Sequence, residues 1–368
     1  MNTHAKMLLF TGSYSEASDS GIQVFEFDEE AGGKLNLLHK IKGLTNPTFL
    51  EVDPIGLRLY AIGEKPNGKG GKEGEVASYA IHPMTGQLSE LNRTGTMPAE
   101  GTGQTTTCHI SRDLESQYVV VCSYHGGSVG LVSLEDGGKS GRLCDTAIHK
   151  GQGADPVRQD RPHPHSAIFS PDGRFIFVPD LGLDVIRCYT IDRQNKTLKY
   201  HGDTVLHPGA GPRHFAFHPD GKSAYVINEV DSTITSFTYQ AESGLLNEVM
   251  TASTLPEDFS GDNICAEIAL SVDGRFLYGS NRGMDSIVVY AVDASTAKLI
   301  FIEHVSTHGG HPRHFTVTPD GGYLIVANRD ANNLVVHAID RHTGRLTFTG
   351  NTAEVSKPVC VKPAIFKG

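Results

Sequence analysis

Tryptophan is missing from the 368-residue chain, and all aromatic residues together make up only 8% of it. Docking platforms tend to display exposed aromatic anchors, so this composition disfavours a protein whose main role is to bind protein partners. The six cysteines show no C-x-x-C spacing and are too sparse for a disulfide scaffold, which fits a reducing compartment. Long apolar runs are missing as well, because Met7 to Phe10 falls far short of a secretory core or a membrane span. We therefore expect a cytoplasmic protein without an export signal and without a membrane partner.

An excess of basic charge is also missing. Lysine and arginine number 32 against 42 aspartate and glutamate residues, which is a formal net charge of -10. Because nucleic-acid binding depends on neutralising phosphates, this balance predicts no nucleic-acid partner. Hydrophobic residues make up 38% of the chain and charged residues 20%, which is typical of a soluble globular protein with a substantial core.

A segment of alternating apolar residues recurs seven times along the chain. Period-2 alternation rich in Val, Ile, Tyr and Phe predicts a β-strand. The copies are GIQVFEF from Gly21, EVASYAI from Glu75, SVGLVSL from Ser128, DVIRCYTI from Asp184, STITSFTY from Ser232, SIVVYAV from Ser286 and NLVVHAI from Asn333. Each copy precedes a polar turn and a second short strand anchored on a leucine, and these leucines are Leu35, Leu88, Leu143, Leu198, Leu246, Leu299 and Leu346.

A second kind of hairpin lies between these units, six times over. Its turn reads Pro171-Asp172-Gly173, Pro219-Asp220-Gly221, Val272-Asp273-Gly274 and Pro319-Asp320-Gly321, with degenerate versions around Asp53 and Asp113. Proline presets one turn dihedral and glycine tolerates the positive one, so the pattern predicts a tight turn between two strands. Each repeat therefore contains four strands.

The seventh copy of this inner hairpin is divided between the two ends of the chain. KPVCVKP from Lys357 has the pattern of a first strand, and MLLFTGSY from Met7 has the pattern of a second. Four antiparallel strands repeated seven times predict an all-β fold, a seven-bladed β-propeller formed as a single domain by residues 1–368. Pairing of the amino- and carboxyl-terminal strands would close the ring and leave no long exposed edge.

Propeller geometry converts sequence position into location. The Pro-Asp-Gly turn marks one end of each inner hairpin, so the start of its first strand and the finish of its second share the opposite rim of the central channel. Pairing His218 with Ser223 and counting back along both strands brings Arg213 level with Asn228, beside Glu229. We therefore expect Arg213 and Glu229 to be neighbours.

The same count in the adjacent hairpins extends this rim. It places His165 near Asp180, Glu267 near Asn281 and Arg282, and Arg313 near Arg329. The polar residues predicted to converge on one channel mouth are His163, His165, Asp180, Arg213, Asn228, Glu229, Glu267, Arg282, Arg313 and Arg329. Guanidinium forks suit carboxylate or phosphate, and histidine or glutamate can move protons, so the cluster predicts chemistry on a small anion. Zinc spacings such as H-E-x-x-H are missing despite several histidines, and we expect no metal or other cofactor.

Four phrases carry a family likeness: HPHSAIFSPDGRFIFVPDLGLDVIRCY from His163, PRHFAFHPDGKSAYVINE from Pro212, AEIALSVDGRFLYGSNRG from Ala266 and HPRHFTVTPDGGYLIVANRD from His311. With them the chain resembles the seven-bladed β-propeller lactonase family, which includes bacterial propeller-type 6-phosphogluconolactonases and fungal 3-carboxy-cis,cis-muconate lactonizing enzymes. The resemblance implies a cytoplasmic, metal-independent enzyme acting on a sugar lactone or a lactone-forming acid. The first two inner hairpins, around Asp53 and Asp113, depart from the family phrases.

The resemblance also implies roles for individual residues. In the lactonizing branch the proposed site is a histidine, an arginine, a glutamate and a further arginine. These fall on His165 in HPH, Arg213 in PRHF, Glu229 in NE and Arg282 in NRG. Arg313 and Arg329 occupy equivalent places one blade after Arg282.

The leading hypothesis is hydrolysis of 6-phosphoglucono-1,5-lactone to 6-phosphogluconate. His165 or Glu229 would act as general base on water, and Arg213 or Arg282 would stabilise the oxyanion while another arginine holds the phosphate. Two alternatives stay open. The same residues would serve ring closure of a carboxymuconate, or the protein would be a non-catalytic propeller that binds protein partners.

Overall fold

The chain forms seven antiparallel β-sheets arranged around a central channel. The computed structural model describes residues 5–97 and 103–367, and within those ranges it contains 29 strands. In chain order, the strands are β1 (Lys6–Ser13), β2 (Ile22–Asp28), β3 (Lys34–Ile41), β4 (Leu50–Asp53), β5 (Arg58–Pro66), β6 (Lys72–Ile81), β7 (Leu88–Gly95), β8 (Gln104–Thr105), β9 (His109–Arg112), β10 (Tyr118–Ser123), β11 (Ser128–Glu135), β12 (Lys139–Ile148), β13 (Ile168–Phe169), β14 (Ile176–Asp180), β15 (Val185–Asp192), β16 (Thr197–Val205), β17 (Pro212–Phe217), β18 (Ser223–Asn228), β19 (Thr233–Gln240), β20 (Leu245–Ser253), β21 (Ile264–Leu270), β22 (Phe276–Arg282), β23 (Ser286–Asp293), β24 (Lys298–Ser306), β25 (Pro312–Val317), β26 (Tyr323–Asn328), β27 (Asn333–Ile339), β28 (Leu346–Glu354) and β29 (Pro358–Phe366).

Each sheet is one blade of a seven-bladed β-propeller, as predicted. From the channel outward the blades are blade 1 (β29, β1, β2, β3), blade 2 (β4 to β7), blade 3 (β9 to β12), blade 4 (β13 to β16), blade 5 (β17 to β20), blade 6 (β21 to β24) and blade 7 (β25 to β28). The short strand β8 adds to blade 2 by parallel pairing with β6. In the part of the chain that the model describes, no helix is long and apolar enough to cross a membrane.

The recurring segments form the third strand of every blade, and the predicted leucines lie in the fourth strands. Third strands such as β23 bury consecutive residues, with Ile287, Val288 and Val289 all fully buried. Blades pack face to face, so both faces of these strands are covered. Between blades 4 and 5, for example, the rings of Phe177 and Phe215 stack with centroids 5.6 Å apart. Fourth strands such as β28 instead alternate between buried and exposed positions because they form the outer edge.

Blade 1 joins the two ends of the chain. Strand β1 pairs with β29 along its whole length, with Leu9 opposite Pro363, which confirms the predicted pairing of the terminal strands. Leu9 and Val361 are fully buried in the apolar core that blade 1 shares with blade 7. The ring is therefore closed by hydrogen bonds between segments from opposite ends of the sequence.

The inner hairpins orient the channel. Their turns contain glycines with positive φ, such as Gly173 at 71° and Gly221 at 67°, a conformation that side chains with a Cβ rarely adopt. The turns lie at one end of the channel, which leaves the beginnings of the first strands and the ends of the second strands together at the other end.

The register of the inner hairpins differs from the simple count. The pairing of His218 with Ser223 is confirmed, because the His218 N–H donates to the Ser223 carbonyl over 2.9 Å. At the far end, however, Pro212 rather than Arg213 lies opposite Asn228. The register shifts at Arg213, which is the extra residue of a β-bulge. A bulge redirects the side chain of its extra residue, and a count that assumes a regular ladder cannot include it.

Equivalent shifts occur in blades 6 and 7. In β25 the register shifts at Arg313, and in β21 it shifts between Cys265 and Ile268. The backbone N–H of Glu267 consequently donates to the Ser280 hydroxyl over 3.0 Å, one residue away from the predicted neighbour Asn281. Bulges at matching places in three adjacent blades thus reshape one rim of the channel.

Ring closure yields a stability prediction. Replacing the fully buried Leu9 by alanine should lower the free energy of unfolding by about 2–5 kcal/mol, since it leaves a cavity at the junction of the terminal strands. Ile365 on β29 has a side chain that is 39% exposed, and Ile365→Ala should cost less than about 1 kcal/mol. Chemical denaturation of both variants measures the difference. Equal losses would contradict the packing described for blade 1.

Candidate functional site

A cavity of about 380 Å³ lies at the channel mouth opposite the hairpin turns. We call it the mouth cavity. It is lined by Tyr14, Thr48, Glu64, Thr106, Thr107, Cys108, Tyr124, His125, Arg158, His165, Glu229, Ile264, Arg282, His311, Arg313 and Arg329. These residues come from the beginnings of first strands, the ends of second strands and the segments beside them. Five of the predicted site residues are among them, namely His165, Glu229, Arg282, Arg313 and Arg329.

The carboxylate of Glu229 joins three arginines. Arg213 Nε donates to Glu229 Oε2 over 2.8 Å, which confirms that these two residues are neighbours, and Arg282 Nη2 donates to the same oxygen over 2.6 Å. Arg158 Nη2 contacts the other oxygen, Oε1. Burial raises the pKa of Glu229, but the charges of Arg282, Arg213 and Arg158 outweigh it and hold the pKa well below the ordinary value of 4.5. Glu229 is therefore an anion at neutral pH and has both oxygens occupied.

His165 is a buried histidine in the wall of the mouth cavity. It precedes β13 and is 4% exposed, and its Nδ1 is buried without a hydrogen-bond partner among the described residues. Burial, followed by the charges of Arg213 and of the neighbouring His214, lowers the pKa of His165 well below its usual value of 6.5. The ring is therefore neutral at neutral pH and has a lone pair available.

Arg213 lies deeper than the other arginines. Its Nη1 donates to the Ala266 carbonyl over 2.7 Å, and the residue is absent from the lining of the mouth cavity. It lines instead a second cavity of about 10 Å³ that adjoins the first. Burial and the charges of Arg282 and Arg313 lower the pKa of Arg213 to about 9, so it remains charged at neutral pH.

The arginines at the rim differ in their partners. Arg329 Nε donates to Asp330 over 2.6 Å, whereas Arg158 and Arg282 share Glu229. Arg313 has its guanidinium over the ring of Tyr14, 5.6 Å from the centroid, and forms no ion pair within residues 5–97 and 103–367. Its charge is therefore available to an incoming anion.

Two predicted residues of blade 4 do not reach the mouth cavity. His163 stacks on Tyr124 with centroids 4.1 Å apart, and its Nδ1 lies 2.8 Å from the Tyr124 carbonyl. Asp180 is fully buried, bonded to His149 Nδ1 at 2.6 Å and to the backbone N–H of His163 at 2.7 Å. Its backbone does pair near His165, as predicted, but its carboxylate points into loop contacts.

Asn228 and Glu267 also lie outside the mouth cavity. Asn228 Nδ2 donates to the hydroxyls of Thr233 and Thr235 at 2.8 and 3.0 Å, so the side chain faces its own blade. Glu267 is deeper in the channel, where it accepts from His214 Nδ1 at 3.0 Å and His314 Nε2 at 3.1 Å. The bulge in β21 accounts for this placement.

Arg158 lines the mouth cavity but was not predicted from the sequence. It lies in the segment 149–167 between β12 and β13, which is long for a connection between blades and outside any hairpin count. Long connections in compact domains often carry functional residues, so the length of this segment was an available signal. Thr106, Thr107 and Tyr124 beside β9 and β10 were missed because the inner hairpin of blade 3 lacks the Pro-Asp-Gly phrase.

Within residues 5–97 and 103–367, no group of three or more His, Cys, Asp or Glu side chains could hold a metal ion. The histidines of the channel, including His311 and His314, are spread over separate contacts instead.

The chain matches the family model described as "Lactonase, 7-bladed beta-propeller" over residues 8–363. It is 36% identical to a 6-phosphogluconolactonase of Bacillus subtilis over 362 residues, 97% of this chain and 98% of the relative. A 6-phosphogluconolactonase of Formosa agariphila is 32% identical over 318 residues, 84% of this chain and 86% of the relative. Among solved structures, the periplasmic gluconolactonase of Pseudomonas aeruginosa superposes with a TM-score of 0.87 at 29% identity, covering 98% of this chain and 99% of that one.

The Glu229 network yields a second prediction. Glu229→Gln keeps the shape but removes the charge, and should lower the free energy of unfolding at pH 7 by about 3–5 kcal/mol because buried guanidiniums lose their counterion. A carboxylate whose pKa is depressed in the folded state stabilises the fold above its unfolded pKa of about 4.3, and this contribution declines as the pH falls further. The difference between wild type and variant should therefore shrink from pH 7 towards pH 3.

Denaturation curves across this pH range measure the effect. Glu242→Gln serves as the control, since the Glu242 side chain is 96% exposed, and should leave stability nearly unchanged at every pH. A loss for Glu229→Gln that is the same at pH 7 and pH 3 would contradict the depressed pKa of Glu229.

Proposed function

The chain belongs to the seven-bladed β-propeller lactonase family, and on this premise we propose that it hydrolyses 6-phosphoglucono-1,5-lactone to 6-phosphogluconate in the mouth cavity. The supporting observation is a neutral His165, whose Nδ1 has no hydrogen-bond partner among the described residues, in the wall of a cavity where the Arg313 guanidinium forms no ion pair with any of those residues. A volume of about 380 Å³ lies within the usual range of roughly 300–1,000 Å³ for small-molecule sites. The cavity is thus large enough for a phosphorylated six-membered lactone.

The geometry favours His165 over Glu229 as the general base. Glu229 is bound by three guanidiniums and its pKa is depressed, so it is a poor proton acceptor. His165 carries no proton on at least one ring nitrogen at neutral pH and lines the mouth cavity. We assign it the proton of the attacking water, a contribution of roughly 10² to 10⁴ in rate.

We assign stabilisation of the oxyanion to Arg282. It lines the mouth cavity, and its Nε is buried without a partner in the described structure, while Nη2 donates to Glu229. Arg213 lies behind it and supports Glu229 from the deeper cavity. Water attacks the lactone carbonyl, His165 takes its proton, and collapse of the tetrahedral oxyanion breaks the ring C–O bond. The departing ring oxygen then takes the proton from His165 and becomes the free hydroxyl of the product.

Arg313 is assigned to the phosphate, with Arg329 as its neighbour on the same rim. A guanidinium without a carboxylate partner does not have to break an ion pair when it binds an anion, whereas Arg158 and Arg282 share Glu229. Guanidinium and phosphate form paired, charge-assisted hydrogen bonds. Specificity for the phosphorylated lactone would therefore depend on Arg313.

We place this activity in the cytoplasm. A phosphorylated lactone carries charge and does not cross a lipid bilayer readily, so its hydrolase must share its compartment. The net charge of -10 argues against nucleic acid as the ligand and favours a small anion. The arginines of the mouth cavity would attract that anion locally.

Assay of the purified protein on 6-phosphoglucono-1,5-lactone and on a carboxymuconate tests the proposal. We expect turnover of 6-phosphoglucono-1,5-lactone above the spontaneous rate, and His165→Asn should lower kcat by about 10²-fold or more. His337→Asn is the control, because His337 is a fully buried histidine in β27 away from the channel, and should retain activity. Ring closure of a carboxymuconate in place of hydrolysis would replace this function with the lactonizing reaction. No turnover, together with recovery of a stoichiometric protein partner, would favour a docking role.

Arg313→Met tests the assignment of the phosphate. Loss of one charge-assisted contact should raise KM for the phosphorylated lactone by about 10-fold or more, corresponding to roughly 1.5–3 kcal/mol. KM for unphosphorylated glucono-1,5-lactone, where that lactone is turned over, should change little. Arg187→Met, on an arginine paired with Asp203 on the outer blade surface, is the control. An equal increase in KM for both lactones would show that Arg313 does not recognise the phosphate.

A further inference from the structure

The second, smaller cavity adjoins the mouth cavity on the channel side. Its volume is about 10 Å³, and its walls include His165, Arg213, His214, Arg313 and His314. A cavity needs about 10–15 Å³ of probe-occupied volume to hold one water molecule, together with two to four polar partners. The size and the polar walls of this cavity suit a single water molecule.

Two buried nitrogens without partners belong to these walls. His165 Nδ1 and His214 Nε2 are both buried and form no hydrogen bond within the described residues. The two rings meet edge to face, with centroids 5.2 Å apart. An unsatisfied buried polar atom costs about 1–3 kcal/mol, and proteins commonly meet such needs with a bound water. Two unsatisfied nitrogens beside one water-sized cavity point to a shared ligand.

Glu267 determines which nitrogen of His214 carries the proton. His214 Nδ1 lies 3.0 Å from both carboxylate oxygens of Glu267, and His314 Nε2 lies 3.1 Å from one of them. An ionised carboxylate only accepts hydrogen bonds, so the proton of a neutral His214 lies on Nδ1. His214 Nε2 is consequently a lone-pair acceptor on a ring that lines the small cavity.

We propose that one water molecule occupies this cavity and connects His165 to the His214–Glu267 pair, which makes His214 and Glu267 positioning residues of the hydrolysis. This inference rests on the proposed role of His165 as general base. The water donates one hydrogen to His214 Nε2 and accepts the Nδ1 hydrogen of His165. His165 is thereby held in the tautomer that leaves its Nε2 lone pair for the proton of the attacking water.

The surrounding charges explain why such a connection matters. Burial and then the charges of Arg213, Arg313 and Arg282 disfavour the protonated form of His165. The Cys108 thiol donates to the backbone carbonyls of His165 and Pro164, over 3.3 and 3.7 Å, and not to the His165 ring. When His165 takes the proton of the nucleophile, the water continues to accept its Nδ1 hydrogen. The carboxylate of Glu267 at the other end of the connection is the anion that offsets the new positive charge.

Kinetics of His214→Phe test the inference. The variant keeps a ring but removes the acceptor, and we expect kcat to fall roughly 10- to 100-fold, the scale found for outer partners of functional histidines, with KM nearly unchanged. His214→Gln restores an acceptor at the position of Nε2 and should recover part of kcat. A general packing defect would instead affect KM and thermal stability, and glutamine would not rescue it.

His109→Phe is the matched control. His109 is equally buried in the same layer of the channel, with its ring 5.6 Å from that of His214, but it does not line the small cavity. We expect it to keep kcat within about threefold of wild type. Active protein in which His214→Phe and His109→Phe have the same kcat would overturn the inference while leaving the lactonase function intact.

A high-resolution crystal structure gives a readout that does not depend on activity. The expected result is a water molecule within about 3.2 Å of both His165 Nδ1 and His214 Nε2. Long-range ¹H–¹⁵N spectra of the labelled histidines should show the Nδ1–H tautomer for both residues. If the protein fails to hydrolyse lactones but shows this water and these tautomers, the proposed function falls and the arrangement of the histidines remains. No water at this position, or an Nε2–H tautomer of His165, would overturn the inference.

Discussion

The carboxylate of Glu229 is the interaction around which the site is assembled. Arg213 and Arg282, from blades 5 and 6, and Arg158, from the long segment before blade 4, all end on its two oxygens. Guanidiniums this close would repel one another strongly in a region with little water, and a buried anion offsets that repulsion. The Glu229 carboxylate therefore holds the segment 149–167 over the channel and links blade 5 to blade 6. It also positions Arg282 at the mouth cavity.

This arrangement leaves a local excess of positive charge in an acidic protein. The mouth cavity contains Arg158, Arg282, Arg313 and Arg329, against Glu229 and a Glu64 that is already paired with Lys72. A cationic cavity within a chain of net charge -10 concentrates small anions at one place while the rest of the surface repels them. Burial, followed by the charges of the neighbouring arginines, keeps His165 neutral at neutral pH. In the proposed mechanism this neutral base therefore lies beside the cationic groups that would bind the substrate anion.

The fold could be predicted because the four-strand unit recurs seven times along the sequence. The site could be predicted only for residues whose positions follow from a regular strand register. Glu229 and Arg282 could be predicted because they lie at or directly after the ends of second strands, which a propeller must bring to one channel mouth. The count misplaced Arg213 and Glu267 because each lies at a β-bulge, and no local residue pattern announces the extra residue. Asp180 was predicted for the rim from its position beside His165, yet its carboxylate satisfies backbone N–H groups of the neighbouring loop.

The location of Arg158 could not be predicted from the sequence. Its location depends on how the segment 149–167 folds back over the channel, which is decided by contacts such as the one with Glu229 and not by strand periodicity. Likewise, the neutral state of His165 follows from its burial among charges contributed by three blades. The location of Arg158 and the protonation state of His165 depend on contacts between blades, so they cannot be predicted from the sequence of a single repeat.

A crystal structure with the product 6-phosphogluconate tests whether hydrolysis takes place in the mouth cavity. We predict that the product lies in the mouth cavity, with its carboxylate beside His165 and within hydrogen-bond distance of Arg282, and with its phosphate on Arg313. A product bound outside this cavity, or one whose phosphate leaves Arg313 without a contact, would contradict it.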